Sequence, residues 1–186
     1  KAGIWRTLTK NEWWYLLAKR PNAKRLLLIG WVNDIKGLIL LPDNWKAPKD
    51  IDIKMLDYPI KHKVDPKYDP DAVSCIKDGQ NEDSIYHIQQ MNNFSLQDWM
   101  KLEASGAVFL PAVETFFYTK KKRFFSRTAP KPKNGVGCYW TSSSTNNETY
   151  GGFRIGISEK SIGCGADSRS NKNFVRLVRD CKGFKK

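Results

Sequence analysis

A chain of 186 residues and 21.4 kDa, 40% hydrophobic and with seven tryptophans, is long and apolar enough for one domain with a buried core, which excludes a disordered chain. No apolar run approaches the roughly 18 residues of a membrane span, and the opening KAGIWRTLTK lacks the apolar segment of a signal peptide. Lys and Arg number 32 against 19 Asp and Glu, a net charge of +13, but the cations are scattered, with tight clusters only at 120–123 and in the tail. That distribution favours a basic surface attracting anionic glycans, lipids or proteins over a nucleic-acid groove.

The first predicted element lies in LTKNEWWYLLAKRP. Thr9 with Glu12 three residues on forms a capping box, Leu8 and Trp13 can staple across it, and Pro21 closes the helix. RLLLIGWV and KGLILLP flank Asn33-Asp34 as a hairpin. The segment 43–93 carries Pro48, Pro59, Pro66 and Pro70, many charges and little periodicity, and reads as a long surface insertion at about 46–93. A folded excursion anchored by Trp45, Tyr58 and Tyr86 is the other reading.

The capping device recurs in FSLQDWMKLEASG, with Ser95 as cap, Asp98 reaching back, Phe94 and Trp99 as staple and Gly106 as terminator. GAVFLPA follows as a strand ending at Pro111. ETFFYT and RFFSR read as a hairpin with a lysine tip. GCYWTSS, GGFRIGIS and FVRLVRD complete about seven short strands. Two amphipathic helices on antiparallel hairpins make an α+β domain. Trp140 is expected in the core.

Between these last strands lie two polar arcs, 141–149 and 165–173. Ser, Thr and Asn supply donors and acceptors at little entropic cost, Tyr an amphipathic contact and Arg a planar fork. The candidate ligand-binding residues are Asn146, Asn147, Glu148, Tyr150, Arg154, Arg169, Asn171 and Asn173. If the strands at 137–143, 150–157 and 174–179 are neighbours, both arcs reach one end of a sheet. Clusters of this composition also mark ordinary turns.

Catalytic and metal chemistry find little footing. His62 and His87 stand 25 positions apart, and Cys75, Cys138, Cys164 and Cys181 have no metal-binding spacing, so no metal and no cofactor are expected. Four cysteines allow two disulfides in three connectivities, or structural thiols. Trp31–Asp34 reads WVND, but it has an extra residue and lacks a partner motif for calcium-dependent sugar binding. Asp65, Asp69, Asp71, Asp78, Asn81, Glu82 and Asp83 read as solvated turn residues.

WRTLTKNEWWYLL, GLILLPDNW, WMKLEASGAVFLPA, YWTSSS and FVRLVRD occur in this order. Together they resemble a group of bacterial proteins with a C-type-lectin-like domain. That group is related to the formylglycine-generating-enzyme fold and includes paralogous surface proteins and the variable proteins of diversity-generating retroelements. The resemblance covers most of the chain outside 43–93. It implies a C-type-lectin-like fold across 1–186, with a further part upstream, and a diversified ligand face over Thr141–Asn173. It also implies a non-enzymatic binding or adhesion module, secreted or at the cell surface, with a lipid anchor upstream compatible. The copper-binding cysteine pair of the enzymatic relatives has no residue-by-residue match here. Expected partners are a protein or glycan ligand, with no nucleic acid and no transmembrane segment. The other reading is an assembly subunit of a surface complex, such as a pilus tip.

Overall fold

The computed structural model describes residues 5–55, 63–65, 69–77, 92–113, 137–144, 152–157 and 161–179. The predicted hairpin at 114–126 therefore lies outside the described residues, as do Asn146, Asn147, Glu148 and Tyr150.

Both helices begin as their sequences dictate. In α1 (Lys10–Trp14) the Thr9 hydroxyl accepts the Glu12 amide at 3.2 Å while Glu12 accepts the Thr9 amide at 2.8 Å. The next turn, Tyr15–Lys19, widens into a π-helix before Pro21. In α2 (Leu96–Ala104) Ser95 and Asp98 repeat the reciprocal cap, and Gly106 ends the helix at φ +93°, where a side chain would be strained.

A four-stranded sheet runs in the order β6-β2-β3-β7, with β2 Leu27–Val32, β3 Ile35–Leu40, β6 Asn92–Phe94 and β7 Val108–Pro111. Asn33 and Asp34 turn the β2–β3 hairpin at φ 47° and 64°, as their side chains tolerate. β6 pairs parallel with β2, a departure from the expected all-antiparallel plan. The sheet is covered on both faces, so β2 is apolar almost continuously. Leu27, Ile29 and Leu38 join Trp13 and Leu17 of the first helix in one cluster. Leu28, Ile39 and Leu41 join Phe94 and Leu102 in another, against which Trp45, Ile51, Ile53 and Trp99 pack.

A five-stranded sheet has the order β4-β5-β10-β9-β8, with β4 Lys63–Asp65, β5 Asp69–Lys77, β8 Gly137–Ser144, β9 Gly152–Ile157 and β10 Ser161–Asp167. Its inner face gives Tyr139, Ile155 and Ile157 to the cluster around Trp13. The segment read as an insertion thus supplies two strands, β5 pairing with β10. Its ends are tied down as well: buried Asn92 holds both backbone groups of Lys54 through its side-chain amide, at 2.8 and 2.9 Å.

Finally β1 (Trp5–Thr7) pairs with β11 (Leu177–Arg179) as a two-stranded ribbon. The last strand is therefore not a neighbour of β9. Phe174, just before it, meets β8 through a parallel bridge to Tyr139. Among the described residues the arrangement is mixed α+β with two helices and several small sheets.

Candidate functional site

The expected position of Trp140 needs correcting. Tyr139 is the core residue, 4% exposed, with its hydroxyl donating to the Pro111 carbonyl at 2.7 Å. Burial holds its phenol well above the ordinary tyrosine range. Alternation then puts Trp140 on the opposite, outer face, half-buried, directly across from Arg154.

The same alternation assembles the outer face of β8, β9 and β10. Gly152, Arg154 and Gly156 share one side of β9, and register places Gly163, Gly165 and Asp167 beside them on β10. The Trp140 ring fills the space above Gly152, where a Cβ would come within 2.8 Å of it. The Arg154 side chain runs along its own strand over Gly156, where a Cβ would meet Nη1 at 2.5 Å.

Asp167 organises the polar end of this face. It is 8% exposed, and its carboxylate accepts the Ser168 amide at 2.8 Å and Nδ2 of Asn171 and Asn173, the latter at 3.0 Å. Nε of Arg154 lies 2.9 Å from Oδ2, but its N–H is not aimed at that oxygen, so the contact is an ion pair rather than a hydrogen bond. Three hydrogen bonds and one ion pair thus occupy most of the carboxylate's acceptor capacity. Buried Oδ1 of Asn173 has no hydrogen-bond partner.

Three of the eight candidate residues, Arg154, Asn171 and Asn173, thus meet on one carboxylate, while Arg169 is exposed on the turn between them. Sequence reading missed Asp167 itself. Its signal was local: an Asp at the head of ADSRSN can fold a turn back on its own side chain.

The first arc is divided. Thr141–Ser144 continue β8, and two of them serve internal contacts: the Ser142 amide donates to the Leu8 carbonyl at 2.9 Å, and the Ser143 hydroxyl accepts the Lys10 amide at 3.0 Å. Thr141, 9% exposed, accepts the Ser143 amide at 3.2 Å. Thr141 and Ser143 spend their hydroxyls on these contacts, whereas Ser142 uses only its backbone amide and keeps its side chain exposed. The next residues fall outside the described set, but the chain leaves β8 at Ser144 and re-enters at Gly152. Register sets Ser144 beside Gly152 and Gly152 beside Asp167, so both arcs spring from one end of the sheet.

No protein-family model, characterised protein or solved structure matches this chain.

A second concavity of about 360 Å³ lies along α1, lined by Leu8, Asn11, Glu12, Tyr15 and Leu16. Glu12 on its wall is committed to Arg6, which donates at 2.8 and 2.7 Å, and to Thr9. Those bonds hold its carboxyl at about 2, below the ordinary value of 4.5. It is ionised throughout the physiological range and is not a proton donor there. Among the described residues, no three His, Cys, Asp or Glu side chains gather as a metal site, and no helix is long and apolar enough to cross a membrane. Cys138 is buried; Cys75 and Cys164 lie on β5 and β10, and Cys181 falls outside the described residues.

Proposed function

We propose that this chain is a non-enzymatic ligand-binding or adhesion module of a secreted or surface-exposed bacterial protein, with a C-type-lectin-like fold. Its polar face spans the 141–173 region. One observation carries the reading: the Ser144–Gly152–Asp167 register brings the roots of both polar arcs together, and Asp167 braces the second of them. Bracing removes loop entropy that a ligand would otherwise have to offset. A protein or glycan suits such a face. In the first arc the Thr141 and Ser143 hydroxyls are used internally, which leaves the exposed Ser142 and Ser144 and the part of the arc beyond them to meet a ligand.

The test is a glycan and peptide array probed with wild type and with a combined Asn146→Ala, Asn147→Ala, Tyr150→Ala, Arg169→Ala variant. Loss of every wild-type hit at unchanged melting temperature is expected. Retention of those hits would rule this face out.

The second reading, an assembly subunit, draws on the β1–β11 ribbon. Trp5, Val175 and Leu177 are 59%, 54% and 50% exposed there, with Arg176 and Arg179 exposed among them. Trp and Arg are the residue types that dominate protein interfaces. Deleting 50–90 would not discriminate the two readings, because it removes β4 and β5 from the sheet. Trp5→Ser with Leu177→Ser does: it should abolish assembly and leave array binding intact.

A further inference from the structure

We propose that the ligand group gripped by the outer face of β8–β10 is a carboxylate, with the Arg154 guanidinium as its anchor; this rests on the binding-face reading above. Among the described residues Arg154 contacts one partner, Asp167, and only through Nε. Among the described residues, Nη1 and Nη2, which form the fork of the guanidinium, carry no protein acceptor. A cation whose rear nitrogen is held and whose front edge is open is pre-set for two parallel N–H···O bonds.

The floor selects the shape of the guest. Gly156 lies under the guanidinium, and register brings Gly163 alongside Gly156, so neither position raises a side chain. A planar oxyanion can lie coplanar with the fork on such a surface. The charge balance selects its valence. Asp167 already offsets part of the one guanidinium, and among the described residues no second cation is held to it by an ion pair, so a monoanion is matched better than a phosphate or sulfate dianion. Trp140, across the strand pair from Arg154, offers a ring edge to the apolar part of the guest. An acidic sugar and a peptide terminus both present this group, and the probes separate them.

The experiment follows the Arg154 Nε–H signal by NMR while titrating sodium glucuronate and acetyl-glycyl-glycine, against glucose and acetyl-glycyl-glycinamide. The acids should bind at least roughly tenfold more tightly than their neutral counterparts. A response to one acid alone identifies the source and upholds the proposal. Arg154→Lys, followed through the Trp140 indole N–H because it lacks the arginine reporter, keeps the charge without the fork, and Gly156→Ala lifts the guanidinium from its floor. Each should cut the acid preference roughly tenfold in a folded protein. Equal binding of acid and neutral probes, or tighter binding of inorganic phosphate, overturns the carboxylate while leaving a ligand face in place. No response to any probe also overturns it, and the array experiment then decides the face independently.

Discussion

Replacing Asp167 by Ala removes one carboxylate and strands three donors and one cation. The Ser168 amide and the side-chain amides of Asn171 and Asn173 lose an ionised acceptor, and Arg154 loses its counter-charge. Hydrogen bonds to charged groups contribute about 1.5–3 kcal/mol each, but the losses are not additive when water can reach the orphaned groups. Arg154 keeps 30% of its side chain exposed and can be rehydrated, so the cost should lie near the low end for a broken buried pair, about 3 kcal/mol. For a chain of this size that is a fall of about 6–12 °C in melting temperature. Asp167→Asn should cost less, about 2 kcal/mol, because one carbonyl oxygen survives while the new amide faces another donor. Urea unfolding at constant m-value measures both. A double-mutant cycle with Arg154→Met should show coupling of about 1 kcal/mol or more. A loss below about 1 kcal/mol for Asp167→Ala, or simple additivity with Arg154, would refute the idea that this carboxylate braces the second arc.

Two further perturbations test the frame. The carboxyl of Glu12 is lower in the folded chain, at about 2, than its ordinary 4.5, so its stabilisation is complete above about pH 4.5 and fades as pH falls towards 2. Both partners are more than a third exposed, at 37% and 40%, so screening reduces the effect to about 1 kcal/mol. Stability measured from pH 7 to pH 2 should show that loss, and Glu12→Gln should be less stable at pH 7 and lack this component. Gly30→Ala would place a Cβ 2.6 Å from the Asn92 carbonyl across the parallel β2–β6 pair, costing roughly 1–3 kcal/mol by chemical denaturation. A neutral result would mean that β6 is not held against β2 as described.

Local chemistry made much of this legible. Thr9 with Glu12 and Ser95 with Asp98 are caps whose partners lie three residues away, so a short window contains the whole interaction. Asn33-Asp34 tolerates positive φ by itself, and the hairpin follows. What failed was what pairing decides. Nothing local in β5 announces that it will border β10, since its ladder partners are some 90 positions away and the interval between them is rich in other strands. The run SIGCGAD is poor in the apolar alternation that marks a strand, because its glycines serve a face where neighbours need room, and so β10 went unseen.

The candidate site is legible only in part for the same physical reason. Polar, flexible residues look alike in a sequence, yet in the fold they divide by what their backbones meet. The Ser142 amide and the Ser143 hydroxyl bond the start of the α1 segment and are consumed there as structure. Asn171 and Asn173 face a carboxylate that had no distinguishing feature in the chain beyond opening a turn. Arg154 was legible as a cation but not as an open fork, because its openness depends on the absence of a side chain at Gly156, two residues away on the same face of the strand. A polar arc therefore becomes a candidate site through the groups left unspent after folding. On this face they include the front edge of Arg154 and the buried Oδ1 of Asn173.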